Sequence, residues 1–253
     1  MKNLRIKSAF TLAEVLITLG IIGIVAALTI PSLMANYQKT QYVVELKKAY
    51  SEITQAMKLM ANDAGCPDNL SCVDAFNIAS GVGNANGVGN TFKKYFKLAK
   101  DCGSMYVETD ENTKCLPDSY GRFYDGVGNR YNMNSDYYGY YTFITADGFS
   151  IAIYGLGCVH NVLATNLNLS QTCGDVVMDV NGSKGPNNMG RDIFKFSITN
   201  GKGPAIYPTG GADDSDMMMG SQYWKDTGSC TESNPNGNKC AARIIDEGWK
   251  MNY

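Results

Sequence analysis

From Phe10 to Ile30 apolar residues follow one another almost without a break (FTLAEVLITLGIIGIVAALTI), and no charge occurs between Glu14 and Lys39. The 24 residues Val15 to Gln38 would cover roughly 36 Å as a helix, enough for a hydrocarbon core of about 30 Å. Beyond Pro31 the apolar positions become periodic: Val43, Leu46, Tyr50, Ile53, Met57 and Met60. Steps of three and four draw one stripe along a helix. The pattern predicts a helix from about Thr11 to Asn62, bent near Pro31, where a ring replaces a backbone donor. Gly65 and Pro67 end it. The stripe's simplest use is to pack on a globular body.

Further on the period falls to two. Tyr141 to Thr145 and Phe149 to Tyr154 flank Asp147-Gly148, a pair suited to the positive φ angles of a hairpin turn. Asp175 to Val180 and Phe194 to Thr199 read as further strands, with Phe194, Phe196 and Ile198 on one face. The expected fold is therefore α+β: a long N-terminal helix, apolar then amphipathic, packed on an antiparallel sheet of about four strands with long disulfide-closed loops. Residues 80–90 (SGVGNANGVGN) and the Tyr-rich stretch Tyr120 to Tyr141 read as loops. Ala241 to Asp246 reads as a short helix closed by Gly248, with Trp249 packing back.

Charge adds direction. Residues 1–9 carry Lys2, Arg5 and Lys7 and no acid, whereas the rest holds 19 basic and 24 acidic side chains. A basic start before an apolar span places the start in the cytoplasm and the body outside it. The division is 1–9 as a basic leader, 10–35 as a membrane-spanning helix, and 36–253 as an exported head that includes the second half of the helix. The shortage of basic residues argues against a nucleic-acid partner.

An exported body favours disulfides. The eight cysteines fall in near pairs: Cys66 and Cys72, Cys102 and Cys115, Cys158 and Cys173, Cys230 and Cys240. Eight cysteines allow 105 pairings, of which the sequential one is the simplest. Zinc is disfavoured, because no C-x-x-C occurs and His160 is the chain's single histidine. The same histidine is the only base for a catalytic thiol, so the chain reads as no enzyme. A glycosidase using carboxylates alone would need an acid pair, and nothing marks one.

Two places carry other chemistry. Glu14 lies inside the apolar span, where an acid is costly without a partner. Either it sits among cytoplasmic headgroups, or a cation neutralises it; a cut after Ala9 would free an amine at Phe10, four residues away. The stretch Asp179 to Asp192 (DVNGSKGPNNMGRD) is rich in oxygen ligands. Asp179, Asn181 and Ser183 have the odd-position spacing of a calcium loop, with Asp192 as a later acid. Against that, Lys184 stands at the turn-glycine position, and a loop ordered by Asx turns explains the same residues.

Ser8-Ala9-Phe10-Thr11-Leu12-Ala13-Glu14-Val15-Leu16 resembles the processing site of type IV pilins and type II secretion pseudopilins. The resemblance implies cleavage between Ala9 and Phe10 by a prepilin peptidase, then N-methylation of Phe10. Ala9 stands where that family usually has glycine. It implies that Glu14 neutralises a neighbouring subunit's terminal amine during assembly, and that Gly20, Gly23 and Pro31 loosen or kink the helix. The hairpin, the DVNG…GPN…GRDIFKF stretch and the ending from Cys240 are similar to the C-terminal regions of long-headed pilin-like proteins. Some pseudopilins carry a calcium loop near this end of the head.

The implied function is structural. The chain would be a filament subunit, its helices bundled in the core and its heads outside. Its partners would be the peptidase, an inner-membrane assembly platform, membrane lipid before assembly, and copies of itself and other pilins. It would reside in the inner membrane with its N-terminus inside, then in a periplasmic or surface filament. The rival from another class is a membrane-anchored extracytoplasmic binding or adhesion protein that never polymerises.

Overall fold

The structure is a computed structural model that describes residues 11–77, 85–104, 115–116, 119–120, 131–132, 140–160, 166–182, 184–211, 224–231 and 237–253. Helix α1 runs Leu12–Asp63, with Pro31 inside it. The chain divides into two compact units, Met1–Gln41 and Tyr42–Tyr253. In the first, the side chains of α1 are almost all exposed, Leu12, Ile17, Ile22, Leu28 and Leu33 among them.

In the second unit the expected stripe is the spine of the core. Val43, Leu46, Ile53, Met57 and Met60 are buried, with Ala49 and Ala56 letting the helix lie close. Each fully buried aliphatic side chain of this kind contributes about 1.5–3 kcal/mol. Tyr50 is half-buried: its ring meets Phe196 and Trp249, each at 5.6 Å between centroids, and its hydroxyl donates to the Ile206 carbonyl. Trp249 thus packs back on the head, beyond a helix observed at Cys240–Asp246.

The main sheet has six antiparallel strands among the described residues, not four. They are β1 (Leu98–Ser104), β4 (Tyr141–Thr145), β5 (Ser150–His160), β6 (Gln171–Asp179), β7 (Ile193–Thr199) and β8 (Ala205–Pro208), in that spatial order. A short ladder, β2 (Ser119–Tyr120) with β3 (Tyr131–Asn132), lies inside the Tyr-rich stretch, most of which falls outside the described residues. The hairpin forms as expected: Thr145 N donates to the Phe149 carbonyl and Gly148 takes φ +92°.

One face of the sheet carries Phe143, Ile151, Ile153, Val176, Met178, Phe194, Phe196 and Ile198 in the same core as the α1 stripe. The other face is buried too. Ala152, Val177 and Ile193 pack there with Leu116, Tyr140 and Met189. That burial has a consequence for Asp175 and Lys195, which alternation puts on this second face. They are almost wholly enclosed, 3.7 Å apart, with the Ser197 hydroxyl donating to Asp175.

The segment read as a flexible loop at 80–90 contains a helix instead, α2 (Ala85–Phe92); residues 78–84 lie outside the described set. Glycine and asparagine are poor helix formers, so packing supplies the stability. Val88 and Phe92, one turn apart, are fully buried. Gly89 lies against the Tyr141 ring, and Gly155 on β5 makes room for Val88. A Cβ at Gly89 would overlap Tyr141, so Gly89→Ala is expected to cost about 1–3 kcal/mol by overpacking. A denaturant midpoint equal to that of the native chain would refute this account of α2.

All eight cysteines are in disulfides, Cys66–Cys72, Cys102–Cys115, Cys158–Cys173 and Cys230–Cys240, the sequential pairing. A second polar clasp lies beside the first bridge. Asn200 accepts from Leu70 N and donates to Asn69 and Gln171, joining the Cys66–Cys72 loop to the start of β6.

Candidate functional site

Two regions are the candidates. The first is the start of α1. Ala9 and Phe10 lie outside the described residues. Glu14 accepts from Thr11 N (2.8 Å) and from the Thr11 hydroxyl (2.9 Å), while Glu14 N donates to Thr11 Oγ1 (3.2 Å). This reciprocal pattern is a capping box, which satisfies donors that a helix start leaves open. The signature Thr-x-x-Glu stands in the sequence, and reading Glu14 only for its charge passed over it. Among the described residues no neighbouring atom requires a glycine at Gly20 or Gly23. Helix α1 is long and apolar enough to cross a membrane, by length and composition.

The second region is the turn between β6 and β7. Asp179 ends β6, and its Oδ1 accepts from Asn181 N at 3.2 Å in an Asx turn. Asp192, just before β7, accepts from Asn187 N (2.8 Å), Asn188 N (2.7 Å) and the Asn181 amide (3.3 Å). So the loop folds around the Asp192 carboxylate, with Asn181 bridging the two aspartates. Ser150 on β5 is the cross-strand partner of Asp179.

These groups are sealed from water. Ser150, Asp179 and Asp192 have no exposed surface. Yet Asp179 Oδ2, Asn181 Oδ1, Asn187 Oδ1 and Ser150 Oγ have no hydrogen-bond partner among the described residues. A buried polar atom without a partner costs about 1–3 kcal/mol. Four such oxygens, three on the turn that holds two carboxylates and one on the strand residue paired with Asp179, need an explanation. Electrostatics gives the same picture. Burial first, and the Asp192 charge second, push the Asp179 carboxyl up to about 9. Burial also raises Asp192, against the hydrogen bonds it accepts.

A hard divalent cation fits this donor set. It would replace four missing partners and neutralise two carboxylates that burial disfavours as anions. Among the described residues no three of His, Cys, Asp and Glu gather as metal ligands; here two acids are supplemented by amide and hydroxyl oxygens. Of the expected ligands, Asp179, Asn181 and Asp192 come together, while Ser183 lies outside the described residues. Ser150 and Asn187 join them unforeseen. Asn187 has φ +54°, a backbone that asparagine accepts more readily than most residues, and its place after Gly185-Pro186 is the one local signal for it. Ser150 is placed by strand register alone.

The remaining candidate, His160, ends β5 opposite Gln171. Comparison of the chain with protein-family models, with curated proteins and with solved structures returns no match.

Proposed function

We propose that the chain is a structural subunit of a type IV pilus-like or type II secretion pseudopilus filament. A prepilin peptidase would cut between Ala9 and Phe10 and methylate Phe10. The apolar part of α1 would hold the subunit in the inner membrane, N-terminus inside, until the assembly platform moved it into a filament core. There copies of itself and other pilins would surround it. The subunit itself would catalyse nothing. One observation carries the reading: a single 52-residue helix bares aliphatic side chains over its first half and supplies the core spine of a disulfide-closed α+β head with its second. A helix apolar on all sides and uncovered needs lipid or other helices around it.

Intact mass and N-terminal sequencing of the protein from its own envelope test this. The expected chain starts at Phe10, carries one methyl group and lacks eight thiol hydrogens. A chain starting at Met1, or cut after the apolar run, would sink it.

The capping box favours the rival, an anchored binding or adhesion protein that never polymerises, because Glu14 already has a partner in its own helix. Glu14→Gln separates the two readings. Glutamine keeps the cap but loses the charge. Loss of the subunit from sheared filaments supports assembly; unchanged anchoring and surface display with no filament at all supports the rival.

We also propose a Ca²⁺-class cation at the β6–β7 turn, held by Asp179, Asp192, Asn181, Asn187 and Ser150, with backbone or water completing the six to eight oxygens. The four unpartnered buried oxygens support this site.

A further inference from the structure

Gly190 lies in the turn that closes around Asp192, and it is held from outside that turn. Inside it, Arg191, Asp192 and Ile193 N all donate to the Asn188 carbonyl, and Gly190 N donates to the Ile193 carbonyl (2.7 Å). From outside, the Tyr253 hydroxyl donates to the Gly190 carbonyl (2.5 Å). Gly190 takes φ +86°, and a Cβ there would overlap Cys240 Sγ, so the backbone of the turn rests directly on the Cys230–Cys240 bridge. Arg243 ties the two supports together. Its guanidinium lies 5.1 Å from the centre of the Tyr253 ring, and its Nη1 donates to the Cys230 carbonyl (2.7 Å). Cys230 and Cys240 are themselves fully buried.

Resting on the cation reading above, we infer that Tyr253 and the Cys230–Cys240 bridge clamp the β6–β7 turn, so that the turn takes its cation only while the bridge is closed, and the bound cation shields the bridge from reduction. The empty turn encloses two carboxylates and four oxygens without partners among the described residues, so an opened turn competes with the closed one. A cation needs the closed form, and its apparent affinity falls in proportion to the fraction closed. Whatever holds Gly190 in place raises that fraction. The coupling runs both ways, because linkage between two equilibria is reciprocal. Sulfurs this deeply buried meet a reductant only when the segment opens, and a cation that binds only the closed turn suppresses the opening. The order is therefore fixed: the bridge closes first, and the cation loads after it.

Reduction of the full chain in detergent micelles tests this, with dithiothreitol as the reductant. Two electrons and two protons pass to each bridge, giving two thiols, and the reagent becomes its cyclic disulfide. Freed thiols are alkylated and counted by peptide mass, in about 5 mM Ca²⁺ or in chelator. Sites of the extracellular kind bind at roughly 10⁻⁴–10⁻³ M, so Ca²⁺ should slow release of the Cys230 and Cys240 thiols about fivefold or more. The Cys66–Cys72 bridge, with Cys72 exposed, is the internal control and should react within about twofold at the same rate in both. All bridges slowed alike would mean general stabilisation and overturn the clamp. A thermal midpoint that rises with Ca²⁺ while the Cys230–Cys240 rate stays constant would overturn the clamp and leave the cation site. No response of either would overturn the cation site itself. Tyr253→Phe keeps the ring against Arg243 and removes one hydrogen bond. It should weaken Ca²⁺ binding about three- to tenfold. A variant that melts lower in chelator yet binds Ca²⁺ as the native chain does would show that Tyr253 serves packing alone.

Discussion

Calcium at about a hundred times its dissociation constant should raise the thermal midpoint of the full chain by roughly 5–11 °C. That concentration is worth about 2.7 kcal/mol of stabilisation, and a chain of this size gains about 2–4 °C per kcal/mol. Asp179→Asn should remove the rise. In chelator the same variant should melt at or above the native chain, because it deletes a carboxyl that burial and Asp192 already hold neutral. A loss confined to the calcium-loaded state distinguishes a ligand from a residue of ordinary packing importance.

The pH dependence has a definite sign. Asp179 in the folded, cation-free protein titrates at about 9, far above an ordinary aspartate near 3.9. Its folded value is raised, so its contribution to stability is complete below about 4 and is lost as pH rises towards about 9. Asp192, also raised by burial, pulls the same way. In chelator the midpoint should therefore fall between pH 5 and 9. A bound cation holds the carboxylate ionised, and binding releases the proton, so the calcium-induced rise should grow across that range. A rise equal at pH 5 and pH 9, or none in millimolar Ca²⁺, would remove the cation from the site.

The second large effect belongs to the sheet face turned away from the α1 stripe. Lys195→Met should cost about 3–5 kcal/mol, because it leaves the Asp175 carboxylate enclosed without its cation. Burial already raises the Asp175 carboxyl, with the Lys195 charge as the main opposing influence. The midpoint should drop by roughly 6–20 °C. Replacing both residues, Lys195→Met with Asp175→Leu, should recover most of that loss, since two apolar side chains need no mutual partner. Full recovery would show that the pair is costly to break but contributes little net stability. A single variant as stable as the native chain would mean that Lys195 does not neutralise Asp175.

The α1 stripe, the hairpin around Asp147-Gly148, the strand Phe194 to Thr199 and the sequential disulfides were legible because each is written in nearby residues. Helical and extended backbones impose periods of 3.6 and 2, and a side chain's face follows from its position in that count. Gly148 marks its turn because few other residues accept its φ. The calcium-like spacing from Asp179 was legible for the same reason, though it named only part of the cluster.

Helix α2 was not legible, since Gly and Asn resist helix and only Val88 and Phe92, packed across Gly155 and beneath Tyr141, hold it. Strands β1 and β8 are edges whose identity depends on a neighbour to pair with. Local order along the chain thus settled the long helix, its two characters and the central strands, because those follow from backbone geometry a few residues at a time. Folding settled which oxygens stand together. Ser150 meets Asp179 through β5–β6 register, and Asn200 meets Leu70 and Asn69 from about 130 residues away, by contacts that no local period records.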